Sequence, residues 1–291
     1  MWLTRSSIWM GGLVMVALAA NAAEPPQDYP IQPVPFTSVA FDDAFWAPRL
    51  ETNRTVTLPY NFKKCEETGR IDNFAKAGGL MEGPHEGIFF NDSDVFKVCE
   101  GAAYCLALEE DPELDAYMDD LIGKFAAAQE EDGYLYTART IDPETPPPAC
   151  GRTRWSNLRT NHELYNVGHM YEAAVAHYEA TGKRNFLDIA IKNANLIDRV
   201  FGPYKKHDVP GHQEIEIGLA RLYRATGDEK YLDLSKFFLD ERGRDEDREI
   251  YGKYCQDHKP VTEQSEAVGH SVRAGYLYSG MADVAALTGD E

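Results

Sequence analysis

Basic residues are scarce in this sequence, which has 29 Lys and Arg against 48 Asp and Glu and a formal net charge of −19. Such a surface repels phosphate backbones, so we expect no nucleic-acid partner. After the first twenty residues, no apolar run approaches the roughly 20 residues of a membrane-spanning helix, so we expect no membrane partner. The sequence also lacks a Gly-x-Ser-x-Gly elbow and a glycine-rich phosphate loop. The absence of these two motifs argues against a serine hydrolase with a nucleophile elbow and against a protein that binds nucleotides through a phosphate loop.

Cysteine is sparse and irregularly spaced. The five residues are Cys65, Cys99, Cys105, Cys150 and Cys255, and no two of them form a Cys-x-x-Cys pair. An odd number leaves at least one thiol without a partner in the same chain. We therefore expect most of them to be small buried hydrophobic side chains, and we expect no metal site within this chain.

The N-terminus has the pattern of an export signal. Arg5 precedes an apolar run over residues 8–20, and Ala20-Asn21-Ala22 supplies the small residues of a cleavage site. Residues 1–22 are therefore predicted to be a signal peptide of an exported protein, periplasmic or extracellular. Residues 23–35 contain five prolines and are predicted to form an extended leader. Residues 36–291 would then form the domain.

Three Thr-Gly turns divide the rest of the chain into repeats. Residues 180–183 (ATGK), 225–228 (ATGD) and 287–290 (LTGD) close successive helical segments. Before the first turn, residues 160–182 place apolar side chains at intervals of three and four, the period of one helix face. Thr160 or Asn161 is expected to cap this helix, and Gly182 to end it in the left-handed conformation.

Similar patterns predict the other elements. Residues 34–46 alternate and carry aromatics, which indicates a strand or an extended segment. Residues 47–67 are helical in composition with Pro48 and Pro59 as breaks, and the Gly-rich residues 69–87 are expected to form a loop. Further helices are predicted over 95–108, 114–129, 185–200, 215–223 and 231–238, and a last one after a Thr262 cap.

The helices form antiparallel pairs, which must stack or close into a ring because no pair can bury its apolar face alone. Four first helices and three partners are predicted, and the uneven loops favour an α/α toroid over a regular solenoid. The expected fold is thus all-α and of the (α/α)6 barrel type, incomplete at about three and a half pairs. Since an unpartnered last helix would expose its apolar face, we expect the chain to be truncated at Glu291.

Three histidines recur near the starts of successive first helices. His162, His212 and His270 precede the three Thr-Gly turns, and they would converge on one end of the bore if those helices line the ring. An imidazole offers both a donor and an acceptor, which suits sugar hydroxyl groups. Any one of them could instead only cap a helix. His169 is expected to be a packing residue, because His162 and His169 do not have the spacing of a zinc protease.

Carboxylates give a second set of candidates. Asp92 and Asp94 could serve as acid and base on either side of a glycosidic bond, but Asn91-Asp92-Ser93-Asp94 is also a strong helix cap. Glu214 and Glu216 follow His212, and first-turn glutamates are common at helix starts for electrostatic reasons.

Several runs in the same order resemble glycoside hydrolase family 127, the β-L-arabinofuranosidase-type enzymes with an (α/α)6 barrel. They are Pro59-Tyr60-Asn61, Asn91-Asp92-Ser93-Asp94-Val95, Asn161-His162-Glu163-Leu164-Tyr165 with Gly168-His169, residues 210–216 (PGHQEIE), residues 266–273 (EAVGHSVR) and residues 278–283 (YSGMAD). The resemblance covers nearly all of the chain from about residue 36 onward.

The resemblance implies a role for each matching residue. His162, His212 and His270 correspond to histidines that bind sugar hydroxyls, and Asn61 stands where relatives often have glutamine. The family is known for a retaining mechanism with a zinc-bound cysteine nucleophile and a glutamate acid/base, the metal being held by a Glu-x-Cys pair and a Cys-Cys pair. This sequence contains neither pair. Zinc is therefore expected in the full-length family member but not bound by this chain, which would carry no catalytic residue.

The expected function is hydrolysis of β-linked L-arabinofuranosyl groups on plant-type oligosaccharides, with this chain inactive by itself. One alternative is an unsaturated-uronyl hydrolase of the same toroid type, using Asp92 or Asp94. Another is a helical carbohydrate-binding scaffold without chemistry.

Overall fold

The computed structural model describes residues 27–290, so the predicted signal peptide lies outside the described residues. Eleven α-helices and no β-strand occur in that range. They are α1 (Trp46–Thr52), α2 (Leu58–Glu67), α3 (Arg70–Ala77), α4 (Asp92–Leu108), α5 (Pro112–Ala128), α6 (Thr137–Thr140), α7 (Glu163–Thr181), α8 (Asn185–Val200), α9 (Ile215–Thr226), α10 (Glu229–Glu241) and α11 (Ser271–Thr288). None of these helices is both long and apolar enough to cross a bilayer.

The helices form two layers. In the inner layer, α2 packs on α4, α4 on α7, α7 on α9, and α9 on α11. In the outer layer, α3 packs on α5, α5 on α8, and α8 on α10. Each outer helix follows its inner partner in sequence, which is the connectivity of an α/α toroid. The predicted fold class, all-α and toroid-like, is confirmed.

The predicted number of repeats is corrected by one pair. Helices α2 and α3 add an N-terminal pair, so the described residues contain four pairs and the unpaired α11 rather than three and a half pairs. The error arose because residues 69–87 were predicted to be a loop. Gly69 adopts a left-handed φ of 71° and turns the chain from α2 directly into α3. This glycine is therefore the N-cap of a helix and not the start of a loop.

The prolines do not break the N-terminal helix as predicted. Pro48 lies in the first turn of α1, where an amide hydrogen has no helical partner, and Pro59 is the second residue of α2, directly after a π-helical turn. A π-helical turn, Asn53–Thr57, joins the two helices without interruption. Residues 34–46, predicted as a strand or an extended segment, form no strand and are irregular apart from a 3-10 turn at Phe36–Ser38.

The three Thr-Gly turns share one hydrogen-bonding pattern, which explains the repeated residues. The threonine hydroxyl donates to the carbonyl four residues earlier, at 2.7 Å in Thr181, Thr226 and Thr288 alike. The same oxygen then accepts the amide hydrogen two residues later, at 3.2–3.3 Å. The intervening glycines have φ values of 70–73°, as predicted for Gly182.

Two predicted helix starts are wrong. Neither Thr160 nor Asn161 caps α7, because His162 takes the N-cap position without a side-chain bond to the helix. The last helix does not start at Thr262 but at Ser271, with His270 as its cap. Nδ1 of His270 accepts the amide hydrogen of Arg273 at 3.4 Å, a bond that histidine can make only through an unprotonated nitrogen.

Helix α7 lies in the centre of the packed core, and its apolar side chains contact α4 on one side and α9 on the other. Between the layers, four phenylalanines stack edge to face or tilted at 4.6–6.3 Å: Phe74, Phe96, Phe125 and Phe186. All four are at most 1% exposed. Each such side chain contributes roughly 1.5–3 kcal/mol through burial, which secures the layers that carry the site.

The N-terminal segment packs against the C-terminal ends of the inner helices. Asp28 accepts two hydrogen bonds of 2.9 Å from Arg224, and the hydroxyl of Tyr29 donates to Asp283 at 3.1 Å. Phe36 meets the Tyr104 ring edge-on with centroids 5.6 Å apart. The described part of the Pro-rich leader is therefore docked on the ring.

Candidate functional site

Three predicted histidines lie together at the N-terminal ends of the inner helices. The ring centroids of His162 and His212 are 5.4 Å apart, and those of His212 and His270 are 6.1 Å apart. His212 is 9% exposed and the other two are half-buried. The repeats thus bring residues from three successive inner helices to one mouth of the ring.

Close backbone packing holds His212 beside His162. The amide of Gly211 donates to the carbonyl of Leu158 at 2.9 Å, in the loop that leads into α7. A Cβ at position 211 would overlap the carbonyl oxygens of Leu158 and Arg159. Only glycine permits this approach, so Gly211 sets the distance between the two histidines.

His270 is held by a loop that sequence reasoning did not assign to the site. Its amide donates to the carbonyl of Tyr254 at 3.2 Å, and the side chain of Gln256 donates to the carbonyls of Val268 and His270 at 2.8 and 3.0 Å. Gly269 has a φ of 72°, and a Cβ there would overlap the Lys253 carbonyl oxygen. The loop therefore fixes where the imidazole enters the cluster.

Aromatic side chains surround the histidines. Phe90 stacks on His162 with centroids 4.4 Å apart, and Tyr165 and Tyr276 lie 4.3 and 5.6 Å from His212. Tyr254 is 59% exposed and lies 5.5 Å from His270. Sequence reasoning missed these four aromatics, although Tyr165 follows His162 by three residues and so shares its helix face.

The hydrogen bonds of the imidazoles define their tautomers. Nδ1 of His162 donates to the carbonyl of Thr160 and Nδ1 of His212 to that of Gln213, each at 2.9 Å. Their Nε2 atoms are therefore acceptors. His270 uses Nδ1 as an acceptor, so its Nε2 carries the hydrogen. Within residues 27–290 none of the three Nε2 atoms has a hydrogen-bond partner, which leaves two acceptors and one donor for a ligand.

Burial keeps two of these rings neutral. Burial disfavours the charged imidazolium form, and this effect is the main reason why the pKa of His162 is lowered to about 4 and that of His212 to about 3. Nearby Arg273 acts in the same direction on both. At neutral pH both rings keep the Nε2 lone pair that a hydroxyl group needs.

Asn61 lies apart from the histidines. It is exposed on α2 and lines a shallow cavity of about 460 Å³ together with Arg70, Asp94 and Lys97. Nζ of Lys97 donates to the hydroxyl of Tyr165 at 2.6 Å, which links this cavity to the aromatic side chains around the histidines. A larger depression of about 500 Å³ lies between α8 and α10 on the outer layer, away from the cluster.

The two candidate aspartates have different structural partners. Asp92 is 1% exposed and accepts from both the amide (2.9 Å) and the hydroxyl of Thr137, whereas Asp94 pairs with Arg70 at 2.8 Å. Burial raises the pKa of Asp92 to about 6, but its oxygens anchor α6. These contacts give both carboxylates structural partners and do not support the alternative of a uronyl hydrolase that uses Asp92 or Asp94.

The other carboxylates near the cluster are also buried. Glu216 pairs with the fully buried Arg242 at 3.3 Å. Glu163 accepts hydrogen bonds from the Trp155 amide at 2.9 Å and the Asn161 side chain at 2.7 Å, and burial raises its pKa to about 7. These contacts position loops and helix starts.

The cysteines do not fit the zinc site that the sequence resemblance implies. All five thiols are buried and unpaired in the described range, and no cysteine belongs to a group with metal-ligand geometry there. Two other groups of side chains could hold a metal ion: Asp115, Asp119 and His177, and His169, Glu172 and Glu214. The zinc–thiolate chemistry therefore has no counterpart among residues 27–290.

Polar and aromatic contacts continue from the histidine cluster along the inner helices. Below Tyr165 and Lys97, Arg221 contacts Glu100, Tyr104 and Glu172 at 3.0–3.3 Å. Tyr104 then meets Phe36 of the docked N-terminal segment. A row of side-chain contacts thus runs along the inner helices from the histidine cluster to the docked N-terminal segment.

Known proteins share this architecture. A family model described as the β-L-arabinofuranosidase, GH127 catalytic domain, matches residues 38–291. A protein of Bifidobacterium longum subsp. longum named non-reducing end β-L-arabinofuranosidase is 40% identical over 243 residues, which cover 76% of this chain and 36% of that protein.

Two solved structures are also similar. One GH127 β-arabinofuranosidase is 55% identical with a TM-score of 0.85, over 90% of this chain and 42% of that one. A GH127 β-L-arabinofuranosidase from Geobacillus stearothermophilus T6 is 42% identical with a TM-score of 0.80, over 87% and 42% of the two chains. The chain therefore spans less than half the length of these relatives.

Proposed function

The chain belongs to glycoside hydrolase family 127, and from that membership we propose that the protein hydrolyses terminal β-linked L-arabinofuranosyl groups of oligosaccharides. In this proposal the chain supplies the sugar-binding side of the active site, with His162, His212 and His270 as ligands to the hydroxyl groups. The names of the relatives support the substrate class. The signal-like N-terminus supports export to the periplasm or the cell exterior.

The hydrogen-bond pattern of the histidine cluster is the observation that carries the proposal. Nε2 of His162 and of His212 accept, and Nε2–H of His270 donates. A sugar hydroxyl is both a donor and an acceptor, so this set can bind two or three neighbouring hydroxyl groups. Neutral imidazoles avoid the desolvation penalty that lysine or aspartate would carry at the same position.

The aromatic side chains suit the apolar faces of a sugar ring. Tyr165 and Tyr276 form a floor beside His212, and Phe90 covers His162. Tyr254, which is exposed beside His270, can pack against a sugar at the mouth of the cluster. Such rings contribute a large contact area and keep a polar hydroxyl for hydrogen bonding.

No bond-breaking step is assigned to this chain. Residues 27–290 contribute binding and orientation of the sugar, and the carboxylates beside the cluster are engaged in structural contacts. Zinc, which the family resemblance implies, remains a prediction for the longer protein. We propose that the 291-residue chain alone binds sugar weakly and hydrolyses nothing.

The test is turnover of an aryl β-L-arabinofuranoside by the protein expressed from its complete reading frame. We expect L-arabinose release that a His212→Phe substitution weakens mainly through KM. A folded protein that binds arabinosides without releasing sugar would instead favour the non-catalytic carbohydrate-binding scaffold. Turnover of an unsaturated uronide and not of the arabinofuranoside would refute the proposal.

A further inference from the structure

A second polar cluster lies beneath the tyrosine floor and has no role in the proposed activity. It consists of His169 and Glu172 on α7 and Glu214 immediately before α9. His169 is 4% exposed and Glu214 is 0% exposed. The His169 ring lies 4.7 Å from Tyr165 and 5.6 Å from Tyr276, which separate it from the sugar-binding histidines.

The ligand atoms have the separations of a metal site. Nδ1 of His169 is 3.1 Å from Oε1 of Glu214 and 3.8 Å from Oε2 of Glu172, and all three lie within 4.8 Å of one another. With metal–ligand bonds of about 2.0–2.1 Å, a tetrahedral ion separates its ligand atoms by roughly 3.3 Å. The three atoms therefore need only small movements to share one ion.

The ligand atoms of His169 and Glu214 are also without hydrogen-bond partners of good geometry. Both ring nitrogens of His169 and both carboxylate oxygens of Glu214 are buried and unpaired in the described part of the chain. Arg221 contacts Oε1 of Glu172 at 3.3 Å, so Oε2 is left to face His169. Buried polar atoms are rarely left unpaired, and a bound ion is one recognised explanation.

The backbone fixes two of the ligands before any ion binds. Gly168 packs so closely on the start of α9 that a Cβ there would lie 2.7 Å from Cγ of Glu214. His169 is the next residue, and Glu172 follows one helical turn later on the same face. An ion at this point would join α7 to α9 directly below His212.

The second histidine–carboxylate group also has buried, unpaired ring nitrogens, those of His177, but its carboxylates differ. In the cluster of Asp115, Asp119 and His177, Nζ of Lys183 contacts both carboxylates at 2.7 Å. That ammonium group already offsets one of the two carboxylate charges. By contrast, His169 is the only basic side chain within 4.0 Å of the Glu214 carboxylate among residues 27–290.

We propose that His169, Glu172 and Glu214 bind one divalent transition-metal ion of the Zn²⁺ type as a structural link between α7 and α9. The ligand set of one imidazole and two carboxylates suits such ions better than Mg²⁺ or Ca²⁺, which prefer oxygen ligands alone. The site uses no cysteine and does not depend on the glycosidase activity proposed above. The bound ion would fix the position of α7 and α9 beneath Tyr165 and Tyr276, the two tyrosines beside His212.

The test compares bound zinc in the wild-type protein and in Glu214→Gln, after chelation and reloading with Zn²⁺. Glu214→Gln keeps the shape of the side chain and removes its charge, and Asp119→Asn is the matched control in the Lys183-paired group. We expect Glu214→Gln to bind one zinc equivalent fewer than the wild type, whereas Asp119→Asn binds as much. Counting the difference makes the result independent of any other zinc in the protein.

Thermal unfolding supplies a readout apart from metal content. Zinc at about a hundredfold excess over its Kd should raise the wild-type Tm by on the order of 5 °C, and the rise should be absent in Glu214→Gln. His169→Gln, measured in the same way, replaces Glu214→Gln if that variant does not fold. Equal zinc content in all variants would overturn the proposal. A second combined result would also overturn it: a wild-type Tm that zinc does not change, and a Glu214→Gln variant whose Tm is equal or higher. Glutamine mimics a protonated carboxyl group, so that result would mean that Glu214 shares a proton with Glu172 instead of binding a metal ion.

Discussion

His162 and His212 lie on successive repeats, and their rings are 5.4 Å apart with the Nε2 atom of each unpaired within residues 27–290. Each Nδ1–H is bound to a backbone carbonyl, so neither ring can exchange its tautomer without losing that bond. The pair therefore presents two fixed acceptors to whatever enters the mouth of the ring. This arrangement underlies the first two predictions.

Replacing His212 by phenylalanine should weaken sugar binding without unfolding the protein. The phenyl ring keeps the contact with Tyr165 but removes one acceptor, and one hydrogen bond corresponds to roughly a 3- to 10-fold change in affinity. In the protein expressed from its complete reading frame, as in the other activity measurements below, we expect KM for an aryl β-L-arabinofuranoside to rise by about that factor. His207→Phe, at a half-buried histidine that pairs with Glu241, is the control. An unchanged KM in His212→Phe would contradict the assigned role.

Sugar binding should be lost in acid. Burial lowers the pKa of His162 to about 4 and of His212 to about 3, and a protonated ring has no acceptor. Binding measured by calorimetry should therefore be constant above about pH 5 and fall below about pH 4. A fall already centred near pH 6.5 would mean that these rings titrate as exposed histidines.

The same shifts affect stability with a definite sign. Between the folded-state pKa values of about 3–4 and the ordinary value of 6.5, the unfolded chain binds more protons than the folded one. These two histidines therefore lower the free energy of unfolding as the pH falls from 6.5 to about 3. Below about pH 3 they cause no further change, because both rings are then protonated in the folded and the unfolded chain. Denaturant unfolding of the wild type and of His162→Phe across this range measures the contribution.

Alanine at Gly269 should be more destabilising than alanine at Gly252 in the same loop. Both glycines have left-handed φ values, 72° and 78°, but only at Gly269 would a Cβ overlap a backbone carbonyl, that of Lys253. We expect Gly252→Ala to cost about 1–3 kcal/mol from backbone strain alone, and Gly269→Ala about 1–3 kcal/mol more because of the overlap. The second variant should also raise KM, since His270 must move. Equal effects at both positions would show that the close contact does not fix His270.

Arg242 should be among the most sensitive positions of the fold. It is fully buried, pairs with Glu216, and donates to the carbonyls of Pro210 and Cys255 at 3.0 and 3.1 Å. Arg242→Met leaves an uncompensated buried carboxylate, so we expect a loss of about 3–5 kcal/mol in denaturant unfolding. Adding Glu216→Gln should restore part of it. A double variant no more stable than Arg242→Met would assign the loss to the carbonyl contacts.

The two candidate catalytic aspartates, Asp92 and Asp94, should respond differently to substitution. Asp94→Asn removes a part-exposed pair with Arg70, so activity and stability should change little, by less than about 1 kcal/mol. Asp92→Asn disturbs the buried bonds to Thr137 and should cost about 1–3 kcal/mol of stability. A large loss of kcat in Asp94→Asn with unchanged Tm would revive the carboxylate mechanism.

The sequence was sufficient to predict the features that depend on local patterns. Apolar spacing predicted the long helices α4, α5, α7 and α8 within a few residues, and the Thr-Gly turns predicted the repeat. The repeat also indicated that His162, His212 and His270 would lie together, because equivalent positions of stacked repeats share one end of a ring. Their role in binding sugar stays a prediction.

Features that depend on tertiary contacts could not be predicted. The short α3 begins at a left-handed glycine, a signal that also marks loops, so the first helix pair was missed. His270 replaces Thr262 as the cap of α11 because the 252–270 loop folds back through Gln256. Glu214 meets His169 only because Gly168 lets α9 approach α7, and no local pattern predicts that approach.

The docked N-terminal segment has a consequence for where the chain can be altered. Phe36 contacts Tyr104 and Asp28 accepts hydrogen bonds from Arg224, toward the ends of the inner helices opposite the histidines. Displacing residues 28–36 would therefore expose the Tyr104 ring and the Arg224 guanidinium. It would leave the contacts among His162, His212 and His270 in place, since none of them involves these residues.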